Sequence, residues 1–443
     1  MCNINRMVIK ILDLFAGVGG LSLGFELVKN LDGQHVFELY RAVEMDKFAC
    51  QTLRRNYGAE KVIEGDLTTK KVHKKVINDC KNKVSIVVGG IPCQSFSLIG
   101  TRSGYGKHNG KFKEDLRDNL YKEFKAIVKE INPKILVIEN VKGILSKKDA
   151  KGKKIIDNII RDFEKQGYNF SNMNSTKKYM LLNAADFGVP QKRERVILIG
   201  INKNWKTCPV PELIATHKDI LVGNNMPKDN LLPRVTLFEA IGDLPKVKPQ
   251  ITNTGLSSKE IVKLKKINEK INSGKDKVQI NKDLYMSHLS KISASGKNFF
   301  DFIRPNKYGY INHHVARSHQ LSDIILFANM KEGETAVEFI QRKPKLAKKL
   351  IKYKMDSFKD KYRKQCFDYQ STTVFAHLEK DGNRFIHPTQ ARTYTPREAA
   401  RIQSFPDDFI FEGPMNKKFK QIGNAVPPIL SFNIAKNITY LFE

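Results

Sequence analysis

The chain has 443 residues and a formal net charge of +31 at pH 7, from 77 Lys and Arg against 46 Asp and Glu. This excess points to a polyanionic partner, most simply a nucleic acid, although a generally lysine-rich surface is the alternative. The six cysteines form no CxxC pair and fit a reducing compartment. No run of eighteen apolar residues occurs, and Lys10 and Asp13 interrupt the opening segment, so we expect neither a membrane span nor a signal peptide.

The first two hundred residues alternate short apolar segments with amphipathic helical patterns. The segments predicted as strands each end at a polar residue or a glycine, and they are 8–14, 36–44, 62–65, 85–88, 135–139 and 196–201. Helical periodicity covers 120–131 and 155–166. This alternation predicts an α/β fold with a Rossmann-like, doubly wound sheet, whose ligands lie at the carboxyl ends of the strands.

The pattern becomes irregular and basic near Trp205 and recovers in the last fifty residues. There it predicts a helix starting at Pro396, a turn at Gly423 and Asn424, and an apolar C-terminal helix. We therefore expect a first domain over 1–204, a second, smaller domain over 205–390, and a segment over 391–443 that returns to the first.

A glycine-rich motif, residues 13–20, follows the first predicted strand. Its glycines would let backbone N–H groups approach a ligand, although such a turn can also be a simple strand–helix connection. Glu44 ends the second strand and Asp66 the third, where acids can accept hydrogen bonds from a ribose diol and an adenine. Either acid could instead be an ordinary exposed carboxylate. Together the three features predict a nucleoside-containing cofactor.

Cys93 lies on a Gly/Pro turn directly after a buried strand, a position suited to nucleophilic attack rather than packing. A buried structural thiol is the alternative. Glu139 ends the neighbouring strand, so it could face the same cavity as Cys93. Arg193 and Arg195 alternate along an extended segment and point the same way, which suits binding of an anion or a carboxylate. An exposed charged turn is the alternative reading of that segment.

These motifs, in this order, resemble those of the cytosine-5 DNA methyltransferases. The resembling segments are the cofactor glycine motif 13–20, the nucleophile loop 90–94, the Glu-Asn-Val at 139–141, the Gln-Arg-Arg-Glu-Arg-like segment 191–196, and the two late motifs 397–406 and 421–427. Lys192 departs from the pattern of the fourth segment. The region 205–390 lacks a shared pattern, and in this family that region selects the target sequence.

The resemblance implies transfer of a methyl group from S-adenosylmethionine to carbon 5 of a cytosine in a specific double-stranded DNA sequence, leaving S-adenosylhomocysteine. Cys93 would attack carbon 6 of a cytosine flipped out of the duplex. Glu139 would hydrogen-bond the N3 edge of the ring, with Arg195 orienting it and Arg193 in support. No metal is implied, since the histidines at 313, 314 and 319 have no acid or thiol to complete a site.

The resemblance also implies which residues contact the cofactor and the DNA. The implied cofactor contacts are Phe15, Gly17, Gly19, Glu44, Met45, Asp66, Leu67, Pro92, Leu120 and Asn424. The glycine- and lysine-rich segment 97–113 fits a loop that closes on the flipped nucleotide. The expected DNA contacts are Ser97, Arg102, Arg304 and Thr373.

The compact chain resembles the bacterial restriction–modification type, which implies a cytoplasmic monomer that binds double-stranded DNA and can be paired with a restriction endonuclease. Two alternatives stay open: an RNA (tRNA) cytosine-5 methyltransferase of the same family, and a catalytically inactive DNA-binding relative. The long region between the motifs favours DNA over RNA. The intact Cys93, Glu139, Arg193 and Arg195 favour an active enzyme.

Overall fold

The computed structural model describes residues 8–91, 120–149, 151–219, 231–252, 277–280, 282–304, 309–351 and 361–443. These residues divide into two compact units. Unit 1 comprises the described residues up to Phe187 together with Arg193–Ala215 and Ala425–Glu443. Unit 2 comprises Gly188–Lys192 and the described residues of Thr216–Asn424. The domain boundaries expected at 204/205 and 390/391 stay a prediction; the compact units divide at 215/216 and 424/425.

Unit 1 is built on one sheet, which in the described part of the chain has eight strands in the order β3-β2-β1-β4-β5-β9-β6, with β7 also paired to β9. The first five strands run parallel, and β9 runs antiparallel to its neighbours. The strands are β1 (Ile9–Leu14), β2 (Phe37–Glu44), β3 (Val62–Glu64), β4 (Ile86–Gly90), β5 (Ile135–Val141), β6 (Tyr168–Asn169), β7 (Met180–Asn183), β8 (Gln191–Lys192, in unit 2) and β9 (Glu194–Asn202).

Helices cover this sheet and explain why its central strands are apolar without alternation. They are α1 (Gly20–Glu26), α2 (Lys47–Tyr57), α3 (Lys70–Cys80), α4 (Leu120–Ile131), α5 (Ile155–Glu164) and the C-terminal helix (Pro428–Thr439). In α4 the buried side chains recur at helical spacing, at Phe124, Ile127, Val128 and Ile131. The arrangement confirms the predicted doubly wound α/β fold.

The register of the parallel strands aligns their carboxyl ends along one side of the sheet, the carboxyl edge. The pairs that define it are Leu14 with Gly89, Glu44 with Glu64, and Gly90 with Glu139. Strand order reverses between β1 and β4. Ligands of open α/β sheets bind at such a reversal, outside the carboxyl ends of the strands.

The C-terminal helix packs directly on α1. The Ser431 hydroxyl donates a hydrogen bond to the carbonyl oxygen of Leu21, 410 residues earlier in the chain. At Gly24 the backbones approach so closely that an added Cβ would lie 2.4 Å from the backbone nitrogen of Phe432. The last residues of the chain thus complete the layer over the first helix.

Unit 2 consists of short helices and short strand pairs. Its helices are α6 (Leu237–Ile241), α7 (Lys282–Leu289), α8 (Ala294–Ile303), α9 (Leu321–Asn329), α10 (Ala336–Arg342), α11 (Pro344–Leu350), α12 (Pro396–Ile402) and α13 (Met415–Asn424). Its remaining strands are β10 (His217–Lys218), β11 (Leu232–Pro233), β12 (Ile251–Thr252), β13 (Lys277–Ile280), β14 (Gly309–Asn312), β15 (His319–Gln320) and β16 (Ser371–Thr372). Capping boxes at Thr236, Thr335 and Thr395 begin three of these helices.

Buried ion pairs lie inside unit 2. The fully buried Arg401 pairs with Asp243 and, at 2.7 Å, with Asp407. Arg392 donates to both oxygens of Glu398 at 2.7 Å each. Bidentate, fully hydrogen-bonded pairs of this kind can keep charges inside a protein. Polar contacts therefore join apolar packing in the interior of this unit.

The turn expected at Gly423 and Asn424 is wrong, because both residues belong to α13. Gly423 is needed for close approach: an added Cβ would lie 2.3 Å from the carbonyl carbon of Phe375. The glycine therefore marks a packing contact and not a chain reversal. Across the described ranges, no helix has the length and apolar character needed to cross a bilayer.

Candidate active site

The glycine motif forms a turn at the end of β1 in which Phe15, Gly17 and Gly19 all have positive φ, of 58°, 57° and 77°. The two glycines have different surroundings. A Cβ added at Gly19 would lie 2.8 Å from the Tyr57 ring, whose hydroxyl donates to the Gly19 carbonyl at 2.8 Å. A Cβ added at Gly17 would meet no described atom within 4 Å. Gly19 is therefore required for close packing against Tyr57, whereas Gly17 borders open space.

Glu44 ties the end of β2 to this turn. Its carboxylate accepts from the backbone N–H groups of Gly17, Met45 and Asp46, each at 2.8 Å. Burial raises the pKa of Glu44, and these three hydrogen bonds oppose the rise. A carboxylate has about four acceptor positions, so about one remains for a ligand. The adjacent Met45 side chain is 64% exposed.

Asp66 and Leu67 follow β3 at the same edge. One oxygen of Asp66, Oδ1, accepts from the backbone N–H and the hydroxyl of Thr68, at 2.9 and 2.8 Å. Its other oxygen accepts no hydrogen bond from a described residue. Leu67 is buried in the core, Phe15 packs partly against that core, and Leu120 is half-buried at the start of α4.

Asp13 is a buried acid at this edge to which the sequence analysis gave no separate role. It is 1% exposed, and it accepts a hydrogen bond from the Ser22 hydroxyl on α1. Burial raises the pKa of Asp13 to about 7, and the nearby charge of Glu44 adds to the rise. The sequence did contain a signal for this burial, because Asp13 is the one acid within an otherwise apolar strand end.

Glu139, near the carboxyl end of β5, and Arg195, at the start of β9, form an ion pair. Arg195 lies opposite Val141, which places it diagonally from Glu139 on the same face of the sheet. Its Nε is 2.7 Å from Oε1 of Glu139, and the two side chains are only 11% and 12% exposed. Burial lowers the pKa of Arg195, and the charge of Glu139 opposes that shift. The expected contact between this acid and this arginine is present.

The strand that leads to Cys93 runs beside this pair. Gly90 lies opposite Glu139, and a Cβ added there would be 3.3 Å from Oε2 of Glu139. The glycine thus leaves room beside the second carboxylate oxygen. The amide nitrogen of Asn140 is 3.5 Å from the carbonyl oxygen of Ile91, the last described residue before Cys93.

Arg193 has different surroundings from Arg195. It is 1% exposed, and its Nη2 donates to the carbonyl oxygen of Ala425 at 3.0 Å. Burial, together with the neighbouring Arg195 charge, lowers the pKa of Arg193 well below its ordinary value. This arginine holds the point where the chain returns to unit 1.

Several predicted site residues lie outside the described residues or belong to unit 2. Pro92, Cys93, Ser97 and Arg102 lie outside the described residues. Thr373 and Asn424 belong to unit 2, where the Thr373 hydroxyl donates to the Lys192 carbonyl at 2.5 Å and Asn424 is exposed at the end of α13.

Arg304 also belongs to unit 2, and its surroundings argue against the expected DNA contact. It is 3% exposed and lies 3.4 Å from carboxylate oxygens of both Asp243 and Asp407. A phosphate would have to displace these buried partners. The histidines at 313, 314 and 319, which belong to the same unit, are likewise only 1–5% exposed.

The fold defines the class of protein. A solved structure of a DNA modification methyltransferase encoded within a prophage of E. coli superposes with a TM-score of 0.61 at 24% identity, covering 98% of this chain and 99% of that one. The sheet order and this likeness show the class I methyltransferase fold.

The family follows from the sequence comparisons. A family model described as C-5 cytosine-specific DNA methylase matches residues 9–440. The type II methyltransferase M.DdeI of Desulfomicrobium norvegicum is 31% identical over 98% of this chain and 89% of its own length. M.Eco47II of Escherichia coli, also a type II methyltransferase, is 28% identical over 99% and 81%. The chain belongs to the C-5 cytosine-specific DNA methylases: it is a DNA cytosine-5 methyltransferase, which uses a methyl donor and acts on DNA.

Proposed function

We propose that this enzyme transfers a methyl group from S-adenosylmethionine to carbon 5 of a cytosine within a specific double-stranded DNA sequence. We further propose that it acts as a cytoplasmic monomer of a bacterial restriction–modification system, paired with a restriction endonuclease. One observation carries the chemistry: the buried Glu139–Arg195 pair lies at the carboxyl edge directly beside Gly90, three residues before Cys93.

The residues at the ends of β1, β2 and β3 fit S-adenosylmethionine. Gly17 borders open space in a conformation that side chains disfavour, so the turn can admit a ligand close to the backbone. Glu44 keeps an acceptor for a ribose hydroxyl, Asp66 keeps a carboxylate oxygen for an adenine amine, and Met45 offers an exposed apolar side chain. When bound, the cofactor supplies an electrophilic methyl group. Leu67, Leu120, Phe15 and Asn424 are proposed as further contacts.

The Glu139–Arg195 pair suits the activation of a cytosine. In the proposed reaction the Cys93 thiolate adds to carbon 6, which makes carbon 5 nucleophilic and places negative charge on the ring. Glu139 shares a proton with N3 of the ring and so offsets that charge, while Arg195 holds the carboxylate in place. After carbon 5 has gained the methyl group, a base removes its proton and the thiolate leaves. We propose that this base is a water molecule.

A cytosine within a duplex cannot reach this edge, so the target base must leave the stack. We propose that Ser97 and Arg102 contact the DNA from the segment that follows Cys93, and that Thr373 contacts it from unit 2. Arg304 is not included, because its guanidinium is buried between two aspartates.

The proposal is tested with two cysteine variants and a mechanism-based probe. Cys93→Ser is expected to abolish methyl transfer and keep cofactor binding, whereas Cys208→Ser, at a half-buried thiol of unit 1, is expected to keep both. DNA containing 5-fluorocytosine should trap a covalent adduct with the wild type and with Cys208→Ser but not with Cys93→Ser, because fluorine cannot leave as a proton does. Bisulfite sequencing of DNA from a host expressing the chain then identifies the methylated base and its sequence. Full activity of Cys93→Ser, or no adduct on a denaturing gel, would refute the mechanism.

A further inference from the structure

Lysines lie along the side of the unit 1 sheet opposite the carboxyl edge, here called the amino edge. A line of backbone hydrogen bonds runs along it: Ser85 N–H to Lys10 O at 3.0 Å, Lys134 N–H to Ser85 O at 2.8 Å, and Asn202 N–H to Lys134 O at 3.0 Å. The lysines in this line or within two residues of it are Lys10, Lys83, Lys134 and Lys203. These four lysines thus lie in or beside the ends of four adjacent strands.

The charges of these lysines are not offset by ion pairs within the described residues. None of the four forms an ion pair with a carboxylate of the described residues, whereas neighbouring cations do: Lys81 pairs with Glu130 at 3.3 Å and Arg41 with Asp79 at 3.4 Å. Lys83, Lys134 and Lys203 are exposed, and Lys10 is half-buried. The amino edge therefore presents three exposed lysine charges that form no ion pair within the described part of the chain.

Aromatic rings hold three of the four ammonium groups. The Nζ atoms of Lys10 and Lys83 lie 5.1 and 6.0 Å from the centre of the Tyr40 ring, and that of Lys134 lies 5.4 Å from the Trp205 ring. Cation–π contacts of this kind restrict otherwise flexible side chains. Less side-chain entropy is then lost when an anion binds.

The charge of this edge suits the phosphate backbone of a DNA duplex. Each lysine can neutralise one phosphate, so the four together can neutralise up to about four. From Lys134 to Glu139 the sheet extends about 17 Å, so the two edges face different surroundings. We propose that the amino edge is a second DNA-binding surface, which takes the phosphate backbone of a duplex segment other than the one at the carboxyl edge.

A bridging assay tests this proposal with the full chain. Protein is bound to a biotinylated duplex on beads, and capture of a second, labelled duplex is measured between 50 and 200 mM salt. Four phosphate contacts predict that capture affinity falls about 150-fold over that range, with a logarithmic slope near −3.6. The triple variant Lys83→Ala, Lys134→Ala, Lys203→Ala is expected to reduce the slope by about 3 and the capture at 50 mM at least about tenfold.

A second triple variant controls for net charge. Lys345→Ala, Lys348→Ala, Lys349→Ala removes three exposed lysines from α11 in unit 2 and is expected to keep capture within about twofold. Circular dichroism melting checks the fold of both variants. Protection of Lys83, Lys134 and Lys203 from chemical acetylation by added duplex would support the surface directly. Unchanged capture by the first variant, equal loss in the control, or preference for double-stranded RNA would overturn the proposal.

Discussion

The ion pair between Glu139 and Arg195 gives the sharpest prediction. Removing one partner of a buried pair leaves an uncompensated charge and costs about 3–5 kcal/mol. Because about a tenth of each side chain is exposed, we expect the lower end of this range, about 3 kcal/mol, for Arg195→Met. The double variant Glu139→Gln, Arg195→Met removes both charges, so it should recover about 2 kcal/mol of that loss.

The same variants separate stability from chemistry. Arg195→Met and the double variant should both lose methyl transfer by about 10²–10³-fold, because the first no longer holds the Glu139 carboxylate in place and the second lacks it. Lys142→Met is the matched control: its partner Glu194 is 2.8 Å away, but the two side chains are 53% and 47% exposed. An exposed pair contributes about 0–1 kcal/mol, so this variant should stay close to wild type in stability and activity.

Urea unfolding followed by fluorescence measures these differences in unit 1. The chain has one tryptophan, Trp205, which belongs to unit 1 and lies 4.9 Å from the Phe442 ring centre. The reasoning would be refuted if Arg195→Met cost no more stability than Lys142→Met. It would also be refuted if the double variant were as unstable as the sum of its two single variants.

Three further predictions concern other residues described above. Burial raises the pKa of Asp13 to about 7 in the folded chain, against 3.8 when unfolded, so the free energy of unfolding should fall by about 3 kcal/mol as pH rises from 4 to 7. Asp13→Asn should remove this fall in melting curves. Gly423→Ala should cost about 2–3 kcal/mol in thermal unfolding, since its Cβ would overlap the backbone of Phe375. Glu44→Gln should weaken binding of S-adenosylhomocysteine about 10–100-fold in calorimetry, because an amide cannot accept on both atoms.

Each of these predictions has a control or an excluding result. Identical pH profiles for wild type and Asp13→Asn would contradict the first. For the second, Asn424→Ala changes an exposed neighbour on the same helix and should cost less than about 0.5 kcal/mol. For the third, Glu64→Gln alters the exposed acid at the adjacent strand end and should leave cofactor affinity unchanged. Equal losses of stability in Gly423→Ala and Asn424→Ala would contradict the second prediction. Equal losses of affinity in Glu44→Gln and Glu64→Gln would contradict the third.

The fold of unit 1 could be predicted because its strands and helices carry strong local patterns. The helix α4 ends at Ile131, as its periodicity predicts. The strand predicted to end at 88 continues to Gly90, because pairing with Ile138 and Glu139 of β5 supports glycines that the local sequence disfavours. Tertiary pairing therefore decided the end of this strand.

The positions of candidate site residues were predictable where residue type and strand position agreed, as for Glu44 at the end of β2 and for the contact between Glu139 and Arg195. Two features were not. The burial of Asp13 depends on α1 covering it, and the burial of Arg304 depends on aspartates 61 positions before it and 103 positions after it in the chain. Such long-range polar contacts leave no periodic pattern in the sequence, which is why the irregular region yielded few reliable assignments.

The Ser431–Leu21 contact has a consequence for synthesis. The two residues are 410 positions apart, so at about 5–20 residues per second a ribosome completes the second about 20–80 s after the first. Throughout that interval the apolar face of α1 lacks its cover. A delay of this length exposes the nascent chain to chaperones and proteases.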